Sequence, residues 1–546
     1  MALVGRSPGL VNLIGTPRPD PMRLPDARRR RRVRDRRVVT TEPKGMHDVS
    51  FGPPPSMYTE SALAADGART RRRRRVLAVA VCALVAVLGV GGWLMWYQSG
   101  RKSADTGVTA VRQAPDEIRE TVEKAPRTPE GAVVIEHDEE HLEKHDTDPR
   151  YAPGTWATHK IFAKGVADTI TGLRIGVGSM DERAWTLKLD GHLCATTSHV
   201  TVDGRTAVVV QPAQPKGAKN PGVCDEVLFF DIDTGRKLWR AKIPDAAAAF
   251  VTDTNLTMTR STVAVAWGRG SVAFDMEDGR QLWKSTSVSA CEDKGFAGGR
   301  ALLAVLRCGQ EGDPTYEVQK VDPRTGRTVW TYKIAKGVQA VYLPSSDPPV
   351  LAVGAGDITV TDLITLDGKG RRLASISMHG DRYDPLCGKR YGASSYFGDV
   401  EYCDGMVVGP TEVFVASKDE TEVDQASNWI MAFDIRTGKT VRKFEGRALQ
   451  PVHPLRMSGD QLLVYRGTRD SIGPAAVVLW NPSTGKETPF LFFTLPSDDD
   501  YTLSSPENSD IVVEQGRVFF AKRELTADLK RPKAPVLGAI GIGSAE

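Results

Sequence analysis

The chain has 546 residues, a hydrophobic content of 40% and a net charge of +4, enough for one large domain or several small ones. The charge is uneven: residues 1–75 carry 18 Lys/Arg against 7 Asp/Glu, residues 76–97 carry none, and the remaining 449 are left at −7. A mildly acidic bulk argues against a nucleic-acid surface on the main domain and confines the net basic character to a tail.

In chain order, residues 1–75 are rich in Arg and Pro (RRRRRVRDRR, FGPPPSM) without an apolar period, which predicts a disordered cytoplasmic tail. The run Arg28–Arg37 could bind anionic lipid or nucleic acid, and Met46 or Met57 are alternative translation starts. Val76–Tyr97 (VLAVAVCALVAVLGVGGWLMWY) has 22 uncharged residues, and about 20 suffice to cross a bilayer as a helix. Arg71–Arg75 precede it, and Trp93, Trp96 and Tyr97 end it. A cationic flank stays in the cytoplasm and amphipathic rings favour the interface. The expectation is a single-pass signal anchor in the cell membrane, with the following residues extracellular. A buried core helix and a cleaved signal peptide are the alternatives, but QSGRKSAD beyond the run offers no small-x-small cleavage site.

Residues 98–150 are polar and charged, with Pro115, Pro126, Pro129 and Pro149, and are expected to be a linker. His137, His141 and His145 recur every four residues, and HDEEH imitates the zinc-protease string H-E-x-x-H. Asp138 stands where the Glu base belongs, so a solvated stalk is expected and no metal site. From residue 151 short runs such as EVLFFDI, TVAVAW, SVAFDM, ALLAVLR, WIMAFDI and RVFFAK alternate with Gly, Asp, Asn and Pro turns. That is the pattern of strands and predicts an all-β domain over 151–530, followed by a tail, 531–546.

A repeat decides the architecture. Turn glycines recur at Gly235, Gly279, Gly326, Gly368, Gly438 and Gly485, with gaps of 44, 47, 42, 70 and 47. The unit is clearest at Asp231…Gly235…Trp239, Asp275…Gly279…Trp283 and Asp322…Gly326…Trp330. Its chemistry is structural. The Gly can take positive φ, Asp and Thr can bond the turn backbone, and the Trp is a large apolar body whose N–H needs a partner. Arg442 and Pro489 replace the Trp in later copies, where looser junctions are expected. Six units plus a composite one, from Leu173–Gly191 and Asp510–Leu525, predict a seven-bladed β-propeller, with eight blades as the alternative.

These residues are similar to the A-x-D-x-x-T-G-x-x-x-W repeat of the pyrroloquinoline-quinone-like (PQQ-like) β-propellers, over residues 160–525. The order of basic tail, anchor and propeller resembles membrane-bound propellers of high-GC Gram-positive bacteria. The resemblance implies a quinoprotein dehydrogenase or a non-catalytic scaffold like the propeller lipoprotein that helps assemble outer-membrane barrels; an envelope sensor is a third reading. The resemblance implies that those dehydrogenases typically use eight blades and a longer chain, that many carry adjacent cysteines over the quinone, and that they need a Glu/Asn/Asp cluster round calcium and a catalytic Asp. No Cys-Cys dipeptide exists here, and no motif carries the cluster, so no cofactor and no catalytic residue is expected. GVGSM lacks the second Gly of G-x-S-x-G, GRGS lacks the Lys of a phosphate loop, and Asp498–Asp500 with Asp510 read as a solvated loop.

Cys82 lies in the apolar run. The other six, Cys194, Cys224, Cys291, Cys308, Cys387 and Cys403, are an even number in the part expected outside the cell, which predicts disulfides. Of 15 pairings, the simplest is sequential. The long gap places an insertion near Asp381–Gly405, where Cys387 and Cys403 bracket Tyr391, Tyr396, Phe397 and Tyr402. A disulfide-tied aromatic loop is pre-organised for binding a protein or cell-envelope ligand; a hairpin covering the propeller rim is the alternative.

Overall fold

The computed structural model describes residues 113–139, 150–176, 181–214, 222–286, 291–310, 313–380, 382–388, 400–418, 427–468, 473–495, 500–526 and 535–544. All belong to the second of two compact units, residues 109–546. The apolar run Val76–Tyr97 lies outside the described residues, among which no helix is long and apolar enough to cross a membrane.

Eight four-stranded antiparallel sheets follow one another along the chain. Blades 1 to 7 span residues 155–188, 191–242, 255–286, 291–333, 338–377, 406–445 and 452–493. Blade 8 takes Ser509–Glu514, Arg517–Lys522 and Val536–Ser544 from the end of the chain and Gly131–Glu139 from its beginning. Closure with both ends in one sheet leaves the ring without an open blade edge between its first and last members. Inner strands are buried on both faces (Asn255–Thr259 and Thr262–Ala266 wholly so), whereas outer strands such as Thr328–Lys333 are largely exposed.

The blade count is eight, not seven. Leu173–Gly191 and Asp510–Leu525, combined above into one blade, belong to two. The former completes blade 1, and the latter opens blade 8, whose third and outermost strands come from segments read as tail and linker. Those strands escaped because each pairs with sequence hundreds of residues away. His137 is accordingly buried in the outermost strand rather than on a stalk, its Nδ1 3.5 Å from Asp181 Oδ1.

Apolar cores lie at every junction round the ring. Phe229, Trp239 and Phe274 join blades 2 and 3; Phe162 stacks on Phe519 at 5.0 Å to join blades 1 and 8. The repeat residues form a latch between neighbours. Asp231 Oδ1 accepts hydrogen bonds from the Thr234 amide and hydroxyl, at 2.8 and 2.7 Å, and Gly235 turns the chain at φ 67°. Trp185 of blade 1 covers that glycine and donates its indole N–H to Ile232 O at 3.1 Å. Trp239 does the same to Gly279 and Met276 O, and Trp283 to Gly326 and Pro323 O. At the next junction the covered residue is Gly370, φ 76°, not Gly368. The Asp367 turn is one residue shorter, so the left-handed position falls two residues later than the simple count put it, and Gly368 supplies the accepting carbonyl to Trp330. Where the Trp is lost another side chain donates into the turn, at the equivalent carbonyl of Ile435 in blade 6 and one residue beyond it, at Ser483, in blade 7. Thr365 Oγ1 donates to Ile435 O at 2.7 Å, and Arg442 Nη2 to Ser483 O at 3.1 Å, with the guanidinium over Gly485.

The cysteines form three bridges, Cys194–Cys224, Cys291–Cys308 and Cys387–Cys403.

Candidate functional site

The first strand of each blade faces the propeller axis, and a cavity of about 680 Å³ lies there. The insertion between blades 5 and 6 enters this space. Its two legs are joined by Cys387–Cys403 and pass so closely at Gly405 that a Cβ would stand 2.0 Å from Asp384 O. Tyr383 packs edge-on against Phe433 at 5.6 Å. Residues 400–404 then reach across the axis.

Together they touch blades 2, 3, 4, 5 and 8. Val400 O accepts the Leu343 amide of blade 5 at 2.8 Å. The Glu401 side chain, 7% exposed, accepts from Thr257 Oγ1 (2.9 Å), the Gly298 amide (2.9 Å) and His199 Nε2 (3.3 Å), on blades 3, 4 and 2. Tyr402 Oη accepts the Ser198 amide at 3.0 Å and donates to Thr196 O at 3.5 Å. Asp404 pairs with Arg523 at 2.7 Å. Arg523, 3% exposed, also holds Asp510 at 2.8 Å, and Asp510 accepts from Thr155 Oγ1 at 2.7 Å. Buried Lys164 donates to Thr155 Oγ1 at 3.0 Å. Buried charges need such partners. Desolvation holds the neighbouring His453 down to about 4, against the pull of the Asp404 carboxylate.

A second segment, residues 114–123, crosses the other mouth of the channel. It hydrogen-bonds blade 2 through Arg119 N to Val200 O, blade 4 through Glu120 to Arg300 at 2.5 and 2.6 Å, and blades 7 and 8 through Glu123. Glu123 accepts from Arg456 (2.5 Å) and from the Gln515 and Gly516 amides. Desolvation also lowers the Arg119 pKa, with Glu514 opposing it. The axis is thus bounded by the insertion at one end and this strap at the other.

Beside the insertion a groove of about 780 Å³ opens, lined by Lys294, Arg307, Tyr316, Tyr342, Tyr383 and Lys418 among others.

Of the aromatic residues singled out from sequence, Tyr402 lies in the axis rather than on a rim hairpin, and Tyr391, Tyr396 and Phe397 fall outside the described residues. The Asp, Gly and Trp repeat residues are spread round the ring, one latch per junction, and are not brought together. Glu401, His199, Thr257 and Arg523 were not legible as a group. Their only sequence signal was the acidic pair Glu401 and Asp404 flanking Cys403 where the repeat breaks.

The axial residues do not fit a quinone with its metal. Glu401, Asp404 and Asp510 each already accept internal donors, and Arg523 lies between the last two. Among the described residues no group of three or more His, Cys, Asp or Glu is placed to hold a metal ion.

Comparison with known proteins gives one family match and a set of similar solved structures. The family model described as outer membrane protein assembly factor BamB matches residues 178–294, from the end of blade 1 into blade 4. No curated protein sequence matches the chain. Among solved structures, BamB from Moraxella catarrhalis is 11% identical, covering 71% of this chain and 95% of its own, with a TM-score of 0.38. The quinohemoprotein alcohol dehydrogenase from Comamonas testosteroni is 12% identical over 77% of each chain, TM-score 0.39. A europium-containing methanol dehydrogenase is 12% identical over 76% of this chain and 96% of its own, TM-score 0.38. At these values the likenesses carry nothing about activity. The fold and its repeat make this chain an eight-bladed β-propeller with PQQ-like repeats.

Proposed function

We propose that this is a membrane-anchored, extracellular propeller that acts as a non-catalytic binding or assembly scaffold in the cell envelope. One observation carries the reading: the axis, where a propeller most readily encloses a small ligand or cofactor, is crossed by the chain's own residues 400–404, whose polar groups are engaged with blades 2, 3, 4, 5 and 8. What is left for a partner is the outer face with the groove beside the insertion; Tyr391, Tyr396 and Phe397, outside the described residues, are the further candidates from the sequence. The basic tail, apolar run and three disulfides accord with an anchor and an oxidising compartment.

The test uses the full chain in membranes. External protease should remove the propeller and spare the tail. Replacing Tyr396 and Phe397 by Ala should abolish stoichiometric capture of an envelope partner without lowering the melting temperature; a lost melting temperature with capture intact would favour a structural role. Titration with pyrroloquinoline quinone and calcium should give no stoichiometric absorbance band, and such a band would overturn the reading.

A further inference from the structure

We infer that Thr257, the Gly298 amide and His199 form a carboxylate-binding site at the propeller axis, filled in cis by Glu401, and that a ligand bearing a carboxylate competes for it. The inference rests on the scaffold reading and names a ligand class for its axis.

Three blades each contribute one donor, converging on one carboxylate within 3.3 Å. These are all the partners Glu401 has among the described residues, and none is a Lys or Arg. The contrast with Asp404 is direct. That carboxylate, three residues on, is gripped by a buried guanidinium that also holds Asp510. A hydroxyl, an amide and an imidazole orient a carboxylate as well as a guanidinium does, but without a permanent opposite charge they release it more readily.

The occupant is placed to leave. Residues 401–404 pack against blade walls on one side and border the cavity of about 680 Å³ on the other, so the segment is not enclosed by side chains all round. The hydroxyl of its neighbour Tyr402 bonds the blade 2 backbone at the Ser198 amide and Thr196 O, with no charged group in either bond. Cys403 keeps the segment tied to Cys387 throughout, so withdrawal is a local movement of Glu401 and Tyr402 and does not unthread the loop. The receptor atoms belong to blades 2, 3 and 4, which are latched to each other by Trp239 and Trp283 and stay in place when the segment moves. The geometry therefore fits an acidic residue followed by an aromatic one, as in the chain's own Glu401-Tyr402, or a free carboxylate.

The probe is a fluorescent peptide, acetyl-Asp-Val-Glu-Tyr-amide, matching residues 399–402, with Gln for Glu as control. Anisotropy is read against the full-length chain in detergent, as wild type, Glu401→Ala and Glu401→Gln; the last keeps the side-chain volume should Ala impair folding. The Glu peptide should bind both variants at least about tenfold more tightly than wild type, because the site is no longer filled in cis. Wild type should still bind, saturably and weakly. The Gln peptide should bind the variants about tenfold less tightly, and adding Thr257→Ala or His199→Ala should remove the difference between the peptides. Displacement by sodium acetate assigns the site to carboxylates at large, and displacement by unlabelled peptide alone assigns it to an acidic protein segment; either supports the inference. Equal binding of Glu and Gln peptides, no binding to the variants, or no saturable binding to wild type overturns it. Partner capture that depends on Tyr396 and Phe397 would survive all three results, so this failure is separable from failure of the scaffold reading.

Discussion

The indole of Trp239 lies directly over Gly279 of the next blade. A Cβ at Gly279 would stand 2.7 Å from the ring, and the indole N–H reaches Met276 O at 2.9 Å. Two constraints meet at this glycine, a φ of 73° and the missing space. Gly279→Ala is expected to cost about 2–4 kcal/mol of unfolding free energy by combining backbone strain with a lost latch. Gly516, at φ 78° with nothing within 4 Å of a built Cβ, carries the first constraint alone, and Gly516→Ala should cost only about 1 kcal/mol. Equal losses in chemical denaturation would mean that the ring contact contributes nothing.

Arg442 takes the Trp position at the junction of blades 6 and 7, donating to Ser483 O. The looser junction expected from sequence is therefore bridged. Arg442→Ala should cost about 1 kcal/mol, the usual worth of one exposed hydrogen bond and its packing. Arg442→Trp should recover that loss, since the repeat already accommodates Trp over a glycine at four other junctions. A Trp variant less stable than the Ala variant would show that blade 7 has diverged from the pattern.

Cys387 and Cys403 close a loop with a sequence separation of 16. Replacing both by Ser should lower stability by about 3 kcal/mol on the chain-entropy account. It should also free Glu401 and Tyr402 to leave the axis, seen as faster hydrogen exchange at the Ser198 and Gly298 amides, which donate to them. Unchanged exchange would place the anchoring in the axial hydrogen bonds alone.

His453 titrates at about 4 because burial disfavours its cation. The unfolded chain takes up that proton near pH 6.5. Its stabilising effect is thus fully present above about pH 6.5 and is lost as the pH falls from there to about 4, up to about 3 kcal/mol in all. His453→Gln should flatten the stability profile in that window and leave the slope below pH 4 unchanged. There the turn carboxylates dominate: Asp322, held low by its Thr325 hydroxyl, and Asp434, by Thr437, are depressed in the folded state and lose their stabilising effect as they protonate.

What could be read from the sequence was whatever repeats locally. Asp231, Gly235 and Trp239 sit within nine residues, so the latch and the propeller class were visible, and so was the sequential order of the cysteines. Trp185 was passed over because its own copy lacks a clear Asp-Thr-Gly turn. Gly368 reads as the turn glycine in the sequence, whereas a turn shortened by one residue puts the left-handed position at Gly370. The closing strands Gly131–Glu139 and Val536–Ser544 depend on pairing between the two ends of the chain, which no local pattern encodes. The axial cluster was hidden for the same reason: Glu401 meets His199 and Thr257 across 202 and 144 residues of sequence. The break in the repeat marked the right segment but not its destination, which is inward.

That destination is what the account rests on, and photo-crosslinking from position 402 tests it. With Tyr402 replaced by p-benzoylphenylalanine in the full-length membrane-bound chain, irradiation should give an intramolecular link to Thr196–His199 of blade 2, identified by mass spectrometry, while another protein is not captured from that position. A link from position 402 to a partner protein, or only to its own blade 6, would contradict a filled axis and with it the case for a scaffold over a channel-based enzyme.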